Sequence, residues 1–438
     1  MQKIFGTDGV RGIYGEEITP KLAYDVGRAV ALYLKDKECI NILVAKDTRL
    51  SGDILMTAFS SGAMSMGVSV TYIGKVTTPC VAYLTKTCNF GLGVMITASH
   101  NSKIYNGIKI FKSNGEKLGE KEEQKLTNIY KHLDNFQLMP STKVGKLIIR
   151  RNLPVKYYNF LKSIIRDKTF DFSVAFDCAN GVAYSILKKL FDNNFKKVHL
   201  INISQNGNKV NHECGATDTA SLSRYVVDNN IDFGFAYDGD ADRVVMVDGT
   251  GQLLDGDDIL YNLAIYLKQN KKLKKNIVVG TTMTNIGLEL ALKDQGIGLI
   301  REDVGDKYIV DRLTKGNLSL GGEKAGHIIP LYYTNTGDGI LTSLIMLSVI
   351  SQNQLKKVKT YPQVFINISV DRKTKEKFLK SSRIEAKIKT LSLSNKDSRI
   401  VVRPSGTENK IRIMVEDFDK EKAENLALEI QKYIEQEC

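Results

Sequence analysis

INILVAKDTRLSGDILMTAFSSGAMSMGVSVTYIG, Ile40 to Gly74, contains one complete strand–helix–strand unit. Its opening INILVAKD (Ile40 to Asp47) is apolar without alternation, the pattern of a strand buried on both faces. A helical pattern runs from Asp53 to Met66, and VSVTYIG (Val68 to Gly74) returns to strand. Upstream, Thr19-Pro20 opens an amphipathic helix that reaches about Lys35, with Thr as N-cap and Pro at the first helical position. Downstream, FGLGVMIT (Phe90 to Thr97) is a further strand.

The alternation restarts at FSVAFDCANG (Phe172 to Gly181) and at NIVVGTT (Asn276 to Thr282). Each β-rich segment ends in Gly, Asn or Thr and gives way to a helical pattern, which predicts three α/β units. The C-terminal segment differs. Strand-like FINISVD and RIVVRPSG surround a lysine-rich helical stretch, and IRIMVED precedes a closing helix from about Lys420 to Glu437. A small α+β domain is expected there. The expected divisions are 1–153, 154–251, 252–362 and 363–438.

The chain has 438 residues, too many for one compact core, and its 42% hydrophobic and 25% charged content is that of a soluble globular protein. The most apolar helical stretch, Gly339 to Ile350, is too short for the ~20 residues a bilayer requires. The N-terminus MQKIFGTDGVRG has no charged-then-apolar signal pattern, so a cytoplasmic location is expected. No two of the six cysteines stand at a C-x-x-C spacing, and reduced thiols are expected rather than disulfides or zinc. The net charge of +13 raises the question of a nucleic-acid partner. The lysines are scattered, and the clusters at Lys271 to Lys275 and Lys373 to Lys380 are not interleaved with aromatic residues for base stacking. A solvated basic surface that favours anionic substrates is the better reading.

Five segments carry chemistry. DGDADR (Asp238 to Arg243) follows the apolar run IDFGFAY, so Asp238, Asp240 and Asp242 sit on a loop leaving a strand. Alternation with small residues lets three carboxylates converge, a hard oxygen set suited to Mg²⁺ or Ca²⁺. An EF-hand is excluded, because its required Gly and Glu positions hold Arg243 and Gly249. By itself, D-x-D-x-D also fits a solvated acidic turn. In ITASHNSKIYNGIKIF (Ile96 to Phe111), Ser99 lies where a strand becomes a loop, next to His100 and ten residues before Lys109. That is the place for an exposed hydroxyl nucleophile or phosphate carrier, although helix capping would equally occupy a lone serine. The G-x-S-x-G elbow of a hydrolase is absent.

RPSGTENKIRIMVE (Arg403 to Glu416) can turn the amides of Ser405, Gly406 and Thr407 towards one anion, with Arg403 and Arg412 adding charge-assisted contacts. The same residues also suit a plain β-turn. SLGGEKAGHIIP (Ser319 to Pro330) sets Gly322, Glu323 and His327 on a glycine-rich loop where a carboxylate could hold paired sugar hydroxyls. FGTDGVRG (Phe5 to Gly12) matches neither a Walker A loop nor G-x-G-x-x-G, and no Walker A pattern occurs anywhere in the chain.

In this order, FGTDGVRG, TASHN, DGDADR, GGExxGH and RPSGTE resemble the α-D-phosphohexomutase superfamily, from Phe5 to about Glu416. DCANG (Asp177 to Gly181), the N-x-x-CGAT stretch (Asn211 to Thr217) and TGDG (Thr336 to Gly339) resemble its glucosamine branch. The resemblance implies three related mixed-sheet α/β domains plus a C-terminal α+β TBP-like domain around a central cleft. It implies Ser99 as phosphoryl carrier, and Asp238, Asp240 and Asp242 as Mg²⁺ ligands together with a phosphate oxygen on Ser99. Arg11, His100, Lys109 and Arg243 would line the transfer site, with Lys109 or His327 handling the hydroxyl proton. Gly322 and Glu323 would meet the sugar, and Arg403, Ser405, Gly406, Thr407 and Arg412 would clamp the distal phosphate. A sugar 1,6-bisphosphate would act as activator. The expected partner is a small hexosamine phosphate, with no nucleic acid or membrane, and the expected state is a monomer or homodimer.

Some positions depart from the family pattern. Ser102 stands in place of the usual Pro after TASHN, Lys324 and Ala325 replace Gln and Ser of GGEQSGH, and CGATD replaces CGSTH. Asn409 replaces a Pro after RPSGTE, and VGDK ends in Lys307 instead of Arg. None removes the carrier or a metal ligand, so an active enzyme is expected, with substrate identity less constrained than reaction type. Phosphomannomutase/phosphoglucomutase activity is the alternative within the enzyme class. A basic RNA-binding or interaction protein on an inactive mutase scaffold is the alternative from another class.

Overall fold

The computed structural model describes residues 5, 6, 9–35, 37, 39–191, 195–353, 355–395, 397–404 and 409–437. They fall into two compact units, Met1–Thr281 with Leu299–Lys357, and Thr282–Gly298 with Val358–Cys438.

The first unit holds three mixed sheets. Strands β1 (Val10–Ile13), β2 (Asn41–Lys46), β3 (Ser69–Lys75), β4 (Leu92–Ile96), β5 (Tyr105–Lys112) and β6 (Leu147–Ile149) form a sheet in the order β1-β5-β4-β2-β3-β6. Strands β7 (Phe170–Asp177), β8 (Phe195–Ile201), β9 (Phe233–Tyr237), β10 (Val244–Asp248) and β11 (Leu253–Leu254) run β11-β10-β9-β7-β8. Strands β12 (Ile277–Thr281), β13 (Gly298–Glu302), β14 (Leu320–Gly322) and β15 (Ile328–Pro330) run β13-β12-β14-β15.

Aligned by position, β5-β4-β2-β3, β10-β9-β7-β8 and β15-β14-β12-β13 are one strand order used three times. In each, a strand parallel to its inner neighbour turns back through a loop into an antiparallel partner. Those three loops are the ones carrying Ser99, Asp238–Arg243 and Glu323–His327. All three leave the carboxyl ends of strands, the side on which open α/β sheets gather ligands.

The predicted helices form at Pro20–Leu34, capped by the Thr19 hydroxyl on the Leu22 amide, and at Ser51–Ser65. The helix Gly339–Ile350 is buried at all twelve residues, so its uniform apolarity marks a core helix. Strands β1 and β5 are not anticipated by the sequence pattern. β1 is only four residues long, and β5 is buried on both faces with the polar Asn106 and Lys109 inside it, so neither gives a clear strand pattern.

The second unit is a small α+β fold. Its antiparallel sheet β16 (Gln363–Ser369), β17 (Arg399–Pro404) and β18 (Lys410–Glu416) runs β16-β18-β17. Helices span Arg372–Lys380, Ser382–Ser394 and Lys420–Glu437. Ile411, Ile413 and Val415 pack against Ala423, Ala427 and Ile430. Among the described residues no helix is long and apolar enough to cross a membrane. The five described cysteines are free thiols.

Candidate active site

Strand β4 is apolar throughout and ends at Ile96, and the chain then turns sharply. Ser99 is buried and takes a φ of 52°, a left-handed conformation uncommon for a residue with a side chain. Its amide donates to Thr97 Oγ1, whose hydroxyl donates in turn to Asp47 Oδ2. The turn aims Ser99 Oγ at the loop after β9, where it donates to Asp238 Oδ2 at 2.5 Å and lies 3.4 Å from Asp242 Oδ1. The carrier candidate and the acidic triplet thus meet, although 139 residues separate Ser99 from Asp238.

Asp238, Asp240 and Asp242 are buried, with ligand oxygens all within 4.8 Å of one another. Lys109, projecting from β5 and also buried, places its Nζ 2.7 Å from both Asp240 Oδ2 and Asp242 Oδ2. The Arg243 amide donates to Asp238 Oδ1. Asp240 Oδ1 is buried and meets no hydrogen-bond donor among the described residues, a hard oxygen of the kind a divalent cation takes up. The donor set therefore fits a Mg²⁺-type ion.

The carboxyls of the triplet are not equivalent. Burial, with Asp242 and Asp240 alongside, pushes Asp238 well above the usual carboxylate range. Burial also opposes ionisation of Asp242, but Lys109 and His327 overcome it and hold that carboxyl well below its ordinary value.

The two site histidines sit in opposite environments. Burial, followed by the positive charges of Arg243 and Arg11, lowers His100 to about 4, so it is neutral near pH 7. Arg11 reaches the same loop, donating from Nη1 to Asn101 Oδ1 at 3.3 Å. Burial alone would also lower His327, but Asp242 and Asp306 raise it to about 10, and it is cationic. Its Nδ1 lies 3.6 Å from Asp242 Oδ1, and its Nε2 lies 3.2 Å from Asp306 Oδ2 in a poorly aligned contact. Gly337 lets the ring pack against bare backbone, since a Cβ there would lie 2.3 Å from His327 Nε2.

The Glu323 loop is a tight turn between β14 and β15, with Gly326 at φ 85°. The Val244 amide donates to the Gly326 carbonyl, which joins this turn to the strand leaving the acidic loop. Glu323 Oε1 accepts from the Gly305 amide at 3.1 Å, and Lys324 Nζ lies 3.8 Å from Asp255 Oδ2. Gly322 ends β14, in register with Ile328. Lys307 lies 3.6 Å from Glu123 and 3.7 Å from Glu120.

In the second unit, Asn367, Arg412 and Arg403 stand side by side across β16, β18 and β17. They line a cavity of about 290 Å³ together with Lys410 and Met283. Several cations and an amide on one sheet face suit an anion. Ser405, Gly406 and Thr407 lie outside the described residues.

Sequence reasoning missed the groups that hold the site. Arg49 is fully buried, which is rare for an arginine, and only the DTR run at a strand end hinted at it. Asp47, Thr78 and Asp306 were also missed, and Asn211 was quoted only as the first residue of the N-x-x-CGAT stretch, without a role. The Thr78 hydroxyl donates to Asp240 Oδ2 at 2.5 Å from the start of the helix Thr78–Thr87.

Models of the phosphoglucomutase/phosphomannomutase family match the chain in sequence. Alpha/beta/alpha domain I covers residues 2–137, domain II 155–251, domain III 255–365 and the C-terminal domain 365–432. Among solved structures, the chain resembles a phosphoglucomutase/phosphomannomutase family protein from Burkholderia thailandensis, with a TM-score of 0.83 at 19% identity over 100% of this chain and 98% of that one. It also resembles Aspergillus fumigatus N-acetylphosphoglucosamine mutase in complex with GlcNAc-6P and magnesium, with a TM-score of 0.69 at 18% identity over 99% and 95% of the two chains. Fold and site thus define a phosphohexomutase, an isomerase that works by phosphoryl transfer.

The relatives in sequence narrow the class. Phosphoglucosamine mutase of Clostridioides difficile is 41% identical over 445 residues, spanning 99% of both chains. That of Caldicellulosiruptor saccharolyticus is 43% identical over 442 residues, spanning 98% of both. The chain belongs to the phosphoglucosamine mutase family.

Proposed function

We propose that the chain interconverts glucosamine 6-phosphate and glucosamine 1-phosphate through a phosphoserine at Ser99 and a 1,6-bisphosphate intermediate. The observation that carries this reading is the contact of Ser99 Oγ with Asp238 Oδ2 in a chain of this family.

Phospho-Ser99 gives its phosphoryl group to the sugar O1. The bond from phosphorus to Ser99 Oγ breaks and a bond to O1 forms. Lys109 or His327 handles the proton that leaves O1 and the one that Ser99 Oγ gains; His327, cationic at rest, gives its proton to Ser99 Oγ before it can accept the one from O1. The bisphosphate then turns, and its 6-phosphoryl group returns to Ser99 by the reverse bookkeeping, releasing glucosamine 1-phosphate. Asp238, Asp240 and Asp242, with a phosphate oxygen on Ser99, would hold Mg²⁺, which when bound supplies positive charge to the phosphoryl oxygens.

Arg11, Arg243 and the neutral His100 face the transferring group, where positioning and charge neutralisation make up most of the catalysis. Gly322 and Glu323 receive the sugar, and Arg403, Ser405, Gly406, Thr407 and Arg412 the phosphate that is not reacting. A sugar 1,6-bisphosphate primes Ser99. The reading includes domain divisions at 153/154, 251/252 and 362/363, and a cytoplasmic monomer or homodimer feeding amino-sugar and cell-wall precursor synthesis.

The test is turnover of glucosamine 6-phosphate after priming with glucose 1,6-bisphosphate, with peptide mapping for a phosphoryl group on Ser99. Normal turnover in Ser99→Ala would remove the assigned carrier. A higher kcat/KM on mannose or glucose phosphates would transfer the assignment to a phosphomannomutase/phosphoglucomutase.

A further inference from the structure

The left-handed turn at Ser99 is held from outside by two side chains that grip the same two atoms. Arg49 Nη2 donates to the carbonyls of Ser99 at 2.9 Å and Asn101 at 2.7 Å. Asn211 Nδ2 donates to the same two carbonyls, at 2.7 and 3.0 Å. Arg49 follows β2 and is itself fixed by Asp47, which accepts from its Nε at 2.9 Å. Asn211 comes from the loop that follows β8, and its own amide is tied to the Ala179 carbonyl. Two sheets thus each contribute one clamp to a single turn.

We propose that Arg49 and Asn211 are positioning residues for phosphoryl transfer, chelating the Ser99 and Asn101 carbonyls so that the carrier oxygen stays aimed at the acidic triplet. The inference rests on Ser99 as the carrier. Neither residue touches the reacting atoms. The clamp acts by keeping a turn that the chain would not adopt unaided in the one arrangement where donor and acceptor oxygens line up.

The decisive variant is Asn211→Asp. It keeps shape and tolerance of the left-handed backbone (φ 54° at this position) but replaces the donor with acceptors. In the full-length enzyme, kcat should fall about 10- to 100-fold, the loss expected from misplacing reacting groups by about 1 Å, with KM for glucosamine 6-phosphate held within about 3-fold. Labelling of Ser99 by glucose 1,6-bisphosphate should slow in the same proportion.

Arg49→Lys should show the same split. The double variant should lose less than the product of the single losses, because both side chains hold the same carbonyls. Wild-type kcat in Asn211→Asp, or a loss carried by KM or matched by a collapse in melting temperature, would overturn the inference. Ser99→Ala separates the two claims. If it still takes label at wild-type rate, the carrier assignment fails; if it takes none while Asn211→Asp labels normally, only the clamp fails.

Discussion

The carbonyls of Ser99 and Asn101 receive four donor contacts from Arg49 and Asn211, whereas the Glu323 side chain accepts one described hydrogen bond, from the Gly305 amide. Both loops leave a strand at the same position in sheets of the same order. On the proposed mechanism the first belongs to the transfer step, and its geometry is over-determined. The second, proposed to face the part of the substrate that differs between sugars, has its backbone tied by the Val244, Gly256 and Gly326 amides but leaves the Glu323 side chain with that one described bond. On the proposed roles, the carrier turn is gripped by side chains from two sheets while the sugar-facing side chain has few partners, and Lys324 and Ala325 fall beside it.

Breaking the rigid side should cost most. Asp240→Asn removes one carboxylate charge from the triplet and from the acceptor that Lys109 and Thr78 share. Its kcat should fall about a thousandfold, the several kcal/mol that a bound divalent ion contributes to charge stabilisation. Chelation of the wild-type enzyme with EDTA should produce a loss of similar size, reversed by added Mg²⁺. Activity that survives chelation would contradict the metal assignment.

The sequence made these two regions unequally readable. D-x-D-x-D and Ser99 could be read because alternation with small residues and a strand end are local patterns, and the strand–helix alternation gave three α/β units for the same reason. The clamp could not be read. Arg49 lies 50 residues from Ser99 and Asn211 lies 112 away, and a side chain that donates to backbone leaves no constraint on the residue type it meets. His327 was visible as a histidine on a glycine-rich loop. Its charge was not, because Asp242 and Asp306, which raise it, come from other elements that only the fold brings to the ring. The pairing of β1 with β5, which sets Arg11 beside the carrier loop, was hidden by the shortness of β1 and by the polar residues Asn106 and Lys109 buried in β5.

Next in size is a pH effect behind the sugar loop. Asp338 caps the helix Gly339–Ile350 at the Leu341 amide and accepts from the Tyr157 hydroxyl, and burial raises its carboxyl to about 6. A folded-state value above the unfolded 3.8 means the folded protein binds the proton more tightly. This contribution to stability is therefore complete below the unfolded value and is lost as pH rises through about 6. The step from 3.8 to about 6 corresponds to about 3 kcal/mol. Melting temperatures of wild type and Asp338→Asn measured between pH 4 and 7 should diverge in slope, with the variant lacking this component. Parallel slopes would show that Asp338 does not titrate there.

Glu323→Gln should act on binding. Replacing a carboxylate by an amide at a sugar hydroxyl weakens a charge-assisted hydrogen bond by about 1–2 kcal/mol, so KM for glucosamine 6-phosphate should rise about 5- to 30-fold with little change in the rate of Ser99 labelling. A fall in the labelling rate would place Glu323 on the rigid side of the comparison.

The smallest expected effect bears most directly on specificity. Ala325 is exposed on the turn between β14 and β15, so a serine fits there without disturbing packing. If the turn faces the sugar, Ala325→Ser restores one hydroxyl to the substrate's surroundings. One hydrogen bond contributes about 0.5–1.5 kcal/mol net, so KM should fall about 2- to 10-fold at constant kcat. Lys324→Gln tests the neighbouring departure. The Lys324–Asp255 pair at 3.8 Å is partly exposed and contributes about 0–1 kcal/mol, so its loss should leave melting temperature almost unchanged. The informative quantity is the ratio of kcat/KM for glucosamine 6-phosphate to that for glucose 6-phosphate. A ratio that moves in Ala325→Ser while Ser99 labelling stays constant assigns sugar choice to the loosely held loop. A labelling rate that moves with it would mean that the two loops act as one rigid body and that the contrast between them has no consequence for catalysis.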